Sequence, residues 1–157
     1  LGGKSYKTVL INGQIWMAEN LNFPVEGSWI YDDNPDFAFQ YGRLYSWNAA
    51  MAACPEGWHI PSDEEWTSLI DFLGGEEKAC FRLLEGGDSG LNIRFSGYKT
   101  EGGFFMSVAR VADFWSSTES SPGNAWLRYF VMKKEKVFRS LDNKKCGFSV
   151  RFIKDSL

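Results

Sequence analysis

Tyr6-Lys7-Thr8-Val9-Leu10-Ile11-Asn12-Gly13-Gln14-Ile15-Trp16-Met17-Ala18 reads as two β-rich runs around Asn12-Gly13. Asn-Gly accepts the positive φ angles of a two-residue turn at little cost, so a hairpin is predicted. Beyond it, Asn20 to Phe39 carries Pro24, Gly27, Asn34 and Pro35 among scattered aromatics. That composition predicts a long irregular excursion, anchored by Phe23, Trp29 and Phe37. From Arg43 to Ala53, Leu44, Trp47, Ala50 and Met51 recur at helical spacing, and Pro55-Glu56-Gly57 stops the run. A second helix follows at Pro61-Ser62-Asp63-Glu64-Glu65. Ser62 is its N-cap and Glu65 completes a capping box, while Trp66, Leu69, Ile70 and Leu73 form an apolar face that ends at Gly74-Gly75. A third, short helix is expected around Glu76–Leu84.

Between Glu85 and Asp113, glycines at 86, 87, 90, 97, 102 and 103 punctuate short apolar pieces, predicting loops with brief strands and no interdomain linker. The last forty residues are β-rich. Phe114–Ser117, Ala125–Met132, Val137–Ser140 and Phe148–Ile153 are separated by Ser121-Pro122-Gly123, Lys133–Lys136 and Asp142–Lys145, which is the turn chemistry of an antiparallel meander. No internal repeat or low-complexity tract is visible.

A chain of 157 residues fits one domain spanning 1–157, and at that size about 68–70% of the unfolded surface is buried on folding. Hydrophobic residues at 44% and charged ones at 24% exclude disordered, collagen-like and coiled-coil classes. The 7 Trp, 6 Tyr and 13 Phe, with 16 Gly, point to a loop-rich fold containing β structure. A formal charge of −3, with no basic run longer than Lys133-Lys134 or Lys144-Lys145, argues against a nucleic-acid partner. No stretch approaches the roughly 20 apolar residues of a transmembrane helix. Leu1-Gly2-Gly3 has no signal-peptide pattern, which leaves the location open. Cys54, Cys80 and Cys146 form no CxxC, and both one pair plus a free thiol and three free thiols fit the sequence. One histidine, His59, removes metal sites built on two or three imidazoles.

Four constellations carry polar chemistry. Asp32-Asp33-Asn34-Pro35-Asp36 offers hard oxygens but not EF-hand spacing, so a solvated turn outweighs a calcium site and no metal is expected. His59 has no GxSxG serine to serve and reads as a packed structural residue. Trp115-Ser116-Ser117-Thr118-Glu119-Ser120-Ser121 is either a hydrogen-bonded turn or a polar ligand floor. Asn124, Trp126, Arg128, Tyr129 and Arg139 are the candidate ligand-binding residues, with Phe138 beside them, because planar faces and forked donors bind sugars, peptides or carboxylates. Strand alternation puts Trp126, Arg128 and Phe130 on one face and Leu127 and Tyr129 on the other.

Ile11-Asn12-Gly13-Gln14-Ile15-Trp16-Met17-Ala18-Glu19-Asn20-Leu21-Asn22, Tyr41-Gly42-Arg43-Leu44-Tyr45-Ser46-Trp47, Cys54-Pro55-Glu56-Gly57-Trp58-His59-Ile60-Pro61-Ser62, Trp115-Ser116-Ser117-Thr118-Glu119 and Gly147–Asp155 occur in that order. In these blocks the chain resembles the Fibrobacter succinogenes major paralogous domain over nearly its whole length. The resemblance implies an exported or cell-surface α+β domain of Bacteroidetes or Fibrobacteres, secreted or on a lipoprotein whose precursor carries the anchor. It also implies a C-type lectin-like fold, shared with formylglycine-generating enzymes, in which two main helices flank a small twisted antiparallel sheet with long loops. Relatives carry cysteines near the positions of Ile30, Phe37 and Phe152, so no disulfide is carried over. The isolated cysteines and single histidine do not support the enzymatic branch.

The expected function is therefore a non-enzymatic recognition or adhesion domain that binds carbohydrate or protein through its C-terminal loops and strands. It needs neither calcium nor a cofactor. A polysaccharide-degrading enzyme or accessory module is the first alternative, requiring paired carboxylates. A structural cell-surface assembly subunit is the second, and near-complete burial of the aromatics would favour it.

Overall fold

In the computed structural model, which describes residues 1–156, the Asn12-Gly13 turn forms with φ of 49° and 77°. It joins β1 (Thr8–Ile11) to β2 (Gln14–Met17), with Ile11 opposite Gln14 and Thr8 opposite Met17. The next segment is more ordered than its composition predicts. It holds β3 (Ser28–Trp29), a 3-10 turn at Tyr31–Asp33 and α1 (Pro35–Tyr41). Asn34 and Pro35 read as turn residues, yet Asn34 caps the helix by accepting from the Asp36 N–H, and Pro35 at the first position lacks only a donor that would be unused. Tertiary contact completes it, as Phe37 packs edge-on against Tyr31 at 5.4 Å.

The expected helix from Arg43 also starts later. Leu44–Tyr45 is β4, paired with β3, and α2 (Trp47–Ala52) begins only after Ser46, whose Oγ caps the Ala49 N–H. β5 (Trp58–His59) then leads to α3 (Asp63–Phe72), where the capping box is present as predicted, and α4 (Glu76–Leu83) follows. β6 (Tyr98–Lys99) and β7 (Phe105–Met106) form a small ribbon. Gly97 takes φ 69° just before it, and a Cβ there would stand 2.6 Å from the Tyr31 ring and 2.7 Å from the Met106 carbonyl oxygen.

β8 (Val111–Ser121), β9 (Asn124–Val131) and β10 (Val137–Asn143) make the predicted antiparallel meander, in the order β10-β9-β8. The fourth expected strand does not join it. Around Phe148 the chain makes only isolated bridges to Tyr45, Lys99 and Phe114, and β11 (Ile153–Lys154) inserts between β2 and β5 in a sheet ordered β1-β2-β11-β5. The result is a mixed α/β fold of four helices and several small antiparallel sheets.

Two apolar clusters hold these layers together. One places Trp66, Leu69, Ile70, Leu73 and Leu83 of the helices against Phe114 and Phe130 of the meander and Trp16 of the first sheet. The other gathers Tyr45, Trp47, Trp115, Leu127 and Phe148 on the opposite face. One face of the meander thus packs under the helices around Phe114, Arg128, Phe130 and Val137 and is exposed at Leu141, whereas the other is covered at one end and open at the remainder. Aromatics are not almost all buried, since Phe39 and Phe104 are 94% and 71% exposed.

Candidate functional site

The register of the meander sorts the candidate residues. Asp113 on β8 lies opposite Tyr129 on β9, which lies opposite Phe138 on β10, so these three form a row across the open face. Phe138 stacks on Tyr129 with ring centres 4.9 Å apart and planes 16° from parallel. Val111 and Leu127 share the face, as do Val131, Ser140 and Asp142, and Tyr98 and Phe148 close its rim. Together they line an open groove of about 290 Å³. Tyr98 reaches the rim because β6 runs beside Phe148, with ring centres 6.3 Å apart.

Asp113 is the unusual member. It is 6% exposed, and no protein group among the described residues donates to its carboxyl. Burial, reinforced by the negative charge of Asp142 on β10, pushes its pKa up to about 8. Asp142 is better served, accepting from the Asn143 N–H at 2.7 Å and the Cys146 thiol at 3.4 Å. Asp113 was missed in the sequence because Phe114-Trp115 beside it draws the eye to core packing. Its available signal is a lone acidic residue within an otherwise apolar strand.

The five residues expected to bind ligand do not form one site. Tyr129 lies in the groove. Trp126, Arg128 and Arg139 lie on the opposite face, under α3, and are engaged with one another and with Asp63. Arg128, 3% exposed along its side chain, pairs with Asp63 and donates to Thr67 Oγ1 at 2.9 Å. Arg139 grips both Asp63 oxygens, donating from Nε to Oδ1 at 3.1 Å and from Nη2 to Oδ2 at 2.7 Å, while its guanidinium sits 3.4 Å from the Trp126 ring centre. Burial opposes ionisation of Asp63, but its bonds to Arg139 and Arg128 outweigh that and hold its pKa below the ordinary carboxylate value. Asn124, at the β8–β9 turn, donates to Ser121 Oγ. The forked donors and planar ring predicted to meet a ligand instead fasten a sheet to a helix.

The hydroxyl-rich run is likewise engaged within the protein. Ser116 is buried and donates to the Trp126 carbonyl at 2.8 Å, Thr118 Oγ1 accepts from the Asp63 N–H at 2.9 Å, and Glu119 pairs with Lys144. It is a bulged strand that helps to cap α3, as the register break between Trp115 and Glu119 records.

His59 is partly exposed at 39% of its side chain, so it is not the packed residue the sequence suggests. Its ring bridges Asp155 at 2.6 Å and Glu65 at 2.8 Å, with no serine or cysteine among its partners. Burial lowers its pKa, but hydrogen bonds to Asp155 and Glu65 prevail and raise it above the ordinary value. Because the folded pKa is the higher one, this bridge stabilises fully below about pH 6.5 and is lost as pH rises through the folded value. NMR titration of this single imidazole is expected to give a midpoint above about 6.5, whereas a lower midpoint means the bridge is absent in solution.

All three cysteines are free. Burial, aided by the charge of Asp155, pushes the Cys54 thiol up to about 11, and burial with Asp142 pushes Cys146 up to about 12. Neither is a reactive thiolate at neutral pH. No group of three or more His, Cys, Asp or Glu able to hold a metal occurs among the described residues, and no helix there is long and apolar enough to cross a membrane.

The fold and groove define a mixed α/β domain with small antiparallel sheets and an open cleft on the outer face of its meander. The chain belongs to the Fibrobacter succinogenes major domain family, whose model matches residues 9–154. No curated protein and no solved structure matches it significantly.

Proposed function

We propose that this is a non-enzymatic recognition or adhesion module of a secreted or cell-surface protein, C-type lectin-like in arrangement, that holds a carbohydrate or protein ligand in the groove of the meander. One observation carries the reading: an open, aromatic-lined groove has at its floor a carboxyl that the protein leaves without a partner. Clefts that combine apolar walls with a few convergent polar groups are the usual form of a binding site. Export and anchoring on a lipoprotein precursor follow from the family resemblance.

Three carboxylates on or beside α3 and β8 have structural partners. Asp63 is clamped by two arginines, Glu65 closes the capping box and meets His59, and Glu119 pairs with Lys144. Those roles support a recognition module over a glycoside hydrolase.

The test is binding of the purified domain to arrays of glycans and of surface-protein peptides, with and without EDTA, repeated with Tyr129→Ala and Ser140→Arg. Ser140→Arg fills the groove from its rim and leaves the core intact. The expected result is binding unaffected by EDTA and weakened at least about tenfold by both substitutions. Binding that ignores both would place the ligand elsewhere, and reducing-sugar release lost on Glu119→Gln would establish the enzymatic alternative.

A further inference from the structure

We propose that the groove on the outer face of β8, β9 and β10 receives a lysine side chain of a protein partner, whose ammonium pairs with Asp113. This rests on the reading of that face as the recognition surface and assigns it a ligand chemistry.

The first reason is a missing partner. Four charged residues are strongly buried: Asp63, Asp113, Arg128 and Arg151. Asp63 and Arg128 pair with each other, and Arg139 adds a second cation to Asp63. Arg151 donates to Asn20 Oδ1 at 2.6 Å and to the carbonyls of Met17 and Leu91 at 3.0 and 2.7 Å. Asp113 alone among these four has neither a cation nor a donor among the described residues. Buried carboxyls are rarely left in that state unless something outside the chain completes them.

The second reason is charge. No lysine or arginine lines the groove. The titratable groups facing it are Asp113 on β8, Tyr129 on β9, Asp142 on β10 and Tyr98 on β6. Two carboxyls among aromatic rings, with no internal cation, form an environment complementary to an ammonium. The pKa of Asp113, held up by burial and by Asp142, reflects the same deficit of positive charge.

Shape decides among cations. The walls are Val111, Leu127 and Val131 with the rings of Tyr98 and Phe148, and about 290 Å³ accommodates one side group of a larger ligand. A lysine brings a narrow aliphatic stem for those walls and a compact charge for the floor. An arginine fork is broader and suited to a carboxylate presented for two parallel bonds. An amino sugar would place several hydroxyls against walls offering few polar partners.

The experiment titrates the full chain with end-blocked peptides carrying one central lysine, Nε-acetyl-lysine or arginine, and with a chitosan oligosaccharide. It follows the Asp113 side-chain carboxyl and the Tyr129 ring by NMR. The lysine peptide is expected to shift both signals and to lower the Asp113 midpoint. Acetylation of the lysine, or Asp113→Asn in the domain, should weaken binding about ten- to hundredfold, the usual range for losing a charge-assisted hydrogen bond. Asp113→Asn keeps the side-chain shape, so its fold is expected to survive, and Ser140→Arg should abolish binding as an independent check. Equal binding of lysine and acetyl-lysine peptides overturns the proposal. So does occupation of the groove by the chitosan oligosaccharide without the lysine peptide, or by an array ligand lacking amines, although either leaves the recognition surface standing. Array binding indifferent to Ser140→Arg, with no peptide shifting Asp113, sinks both.

Discussion

Asp63→Ala is expected to destabilise the domain by about 3–5 kcal/mol, measured by urea unfolding at neutral pH, because it strands a buried arginine. Arg128 is 3% exposed along its side chain and takes Asp63 as its only carboxylate partner among the described residues, and Arg139 fastens β10 to the same carboxylate. The loss comes mainly from leaving Arg128 charged and unpaired under α3; the attraction itself contributes less. Replacing both partners, as in Asp63→Ala with Arg128→Met, should therefore recover part of the loss. A double variant less stable than the sum of the two single ones would refute that account. The sign with pH follows from the lowered pKa of Asp63. Its ionised form is favoured on folding, so this stabilisation is present above the unfolded value of about 3.9 and is lost as pH falls through the folded one.

Asp113→Asn is expected to do the opposite and stabilise the free domain, by on the order of 3 kcal/mol at about pH 9. Here the folded pKa is raised, to about 8, by burial first and by Asp142 second. The folded state holds a proton that the unfolded chain releases near pH 3.9. Stability attributable to Asp113 is thus complete below about pH 3.9, declines as pH rises toward 8 and is fully lost above that. The difference between variant and wild type should grow across that window, as read from thermal unfolding at a series of pH values. A constant difference would show that the carboxyl is solvated in the native state. A buried group that costs stability in the free protein is also one that a cationic ligand can most improve, which links this measurement to the lysine titration.

Much of the local structure was legible because it rests on short-range chemistry. Asn12-Gly13 needs only its own φ preferences to turn the first hairpin. Ser62 and Glu65 satisfy each other's backbone donors within one turn, and Pro122-Gly123 lies between two strands of matching alternation. The misreadings occur where distant contacts outweigh local preference. Leu44-Tyr45 became a strand by pairing with Ser28-Trp29, and Ile153 left the meander to sit between Trp16 and His59; α1 is the exception, a local capping signal at Asn34-Pro35 that reads equally as a turn.

The candidate site was legible only in part. Alternation correctly separates Tyr129 from Trp126 and Arg128, but it does not say which face meets helices and which meets solvent. That depends on where α3 and α4 pack, and so on Asp63, 65 residues from Arg128 in sequence. Arginines and a tryptophan on a polar strand carry the same pattern whether they await a ligand or clamp a helix.

The family, the capped helix, the first hairpin and the antiparallel meander are written in neighbouring residues or in long contiguous blocks, so the chain order alone was enough to read them. That the arginines are spent on Asp63 beneath α3, that the Tyr129 face is open, and that Asp113 stands at its floor without a partner among the described residues came from long-range packing. Burial and pairing are properties of what surrounds a side chain, and its surroundings come from parts of the chain far away in sequence.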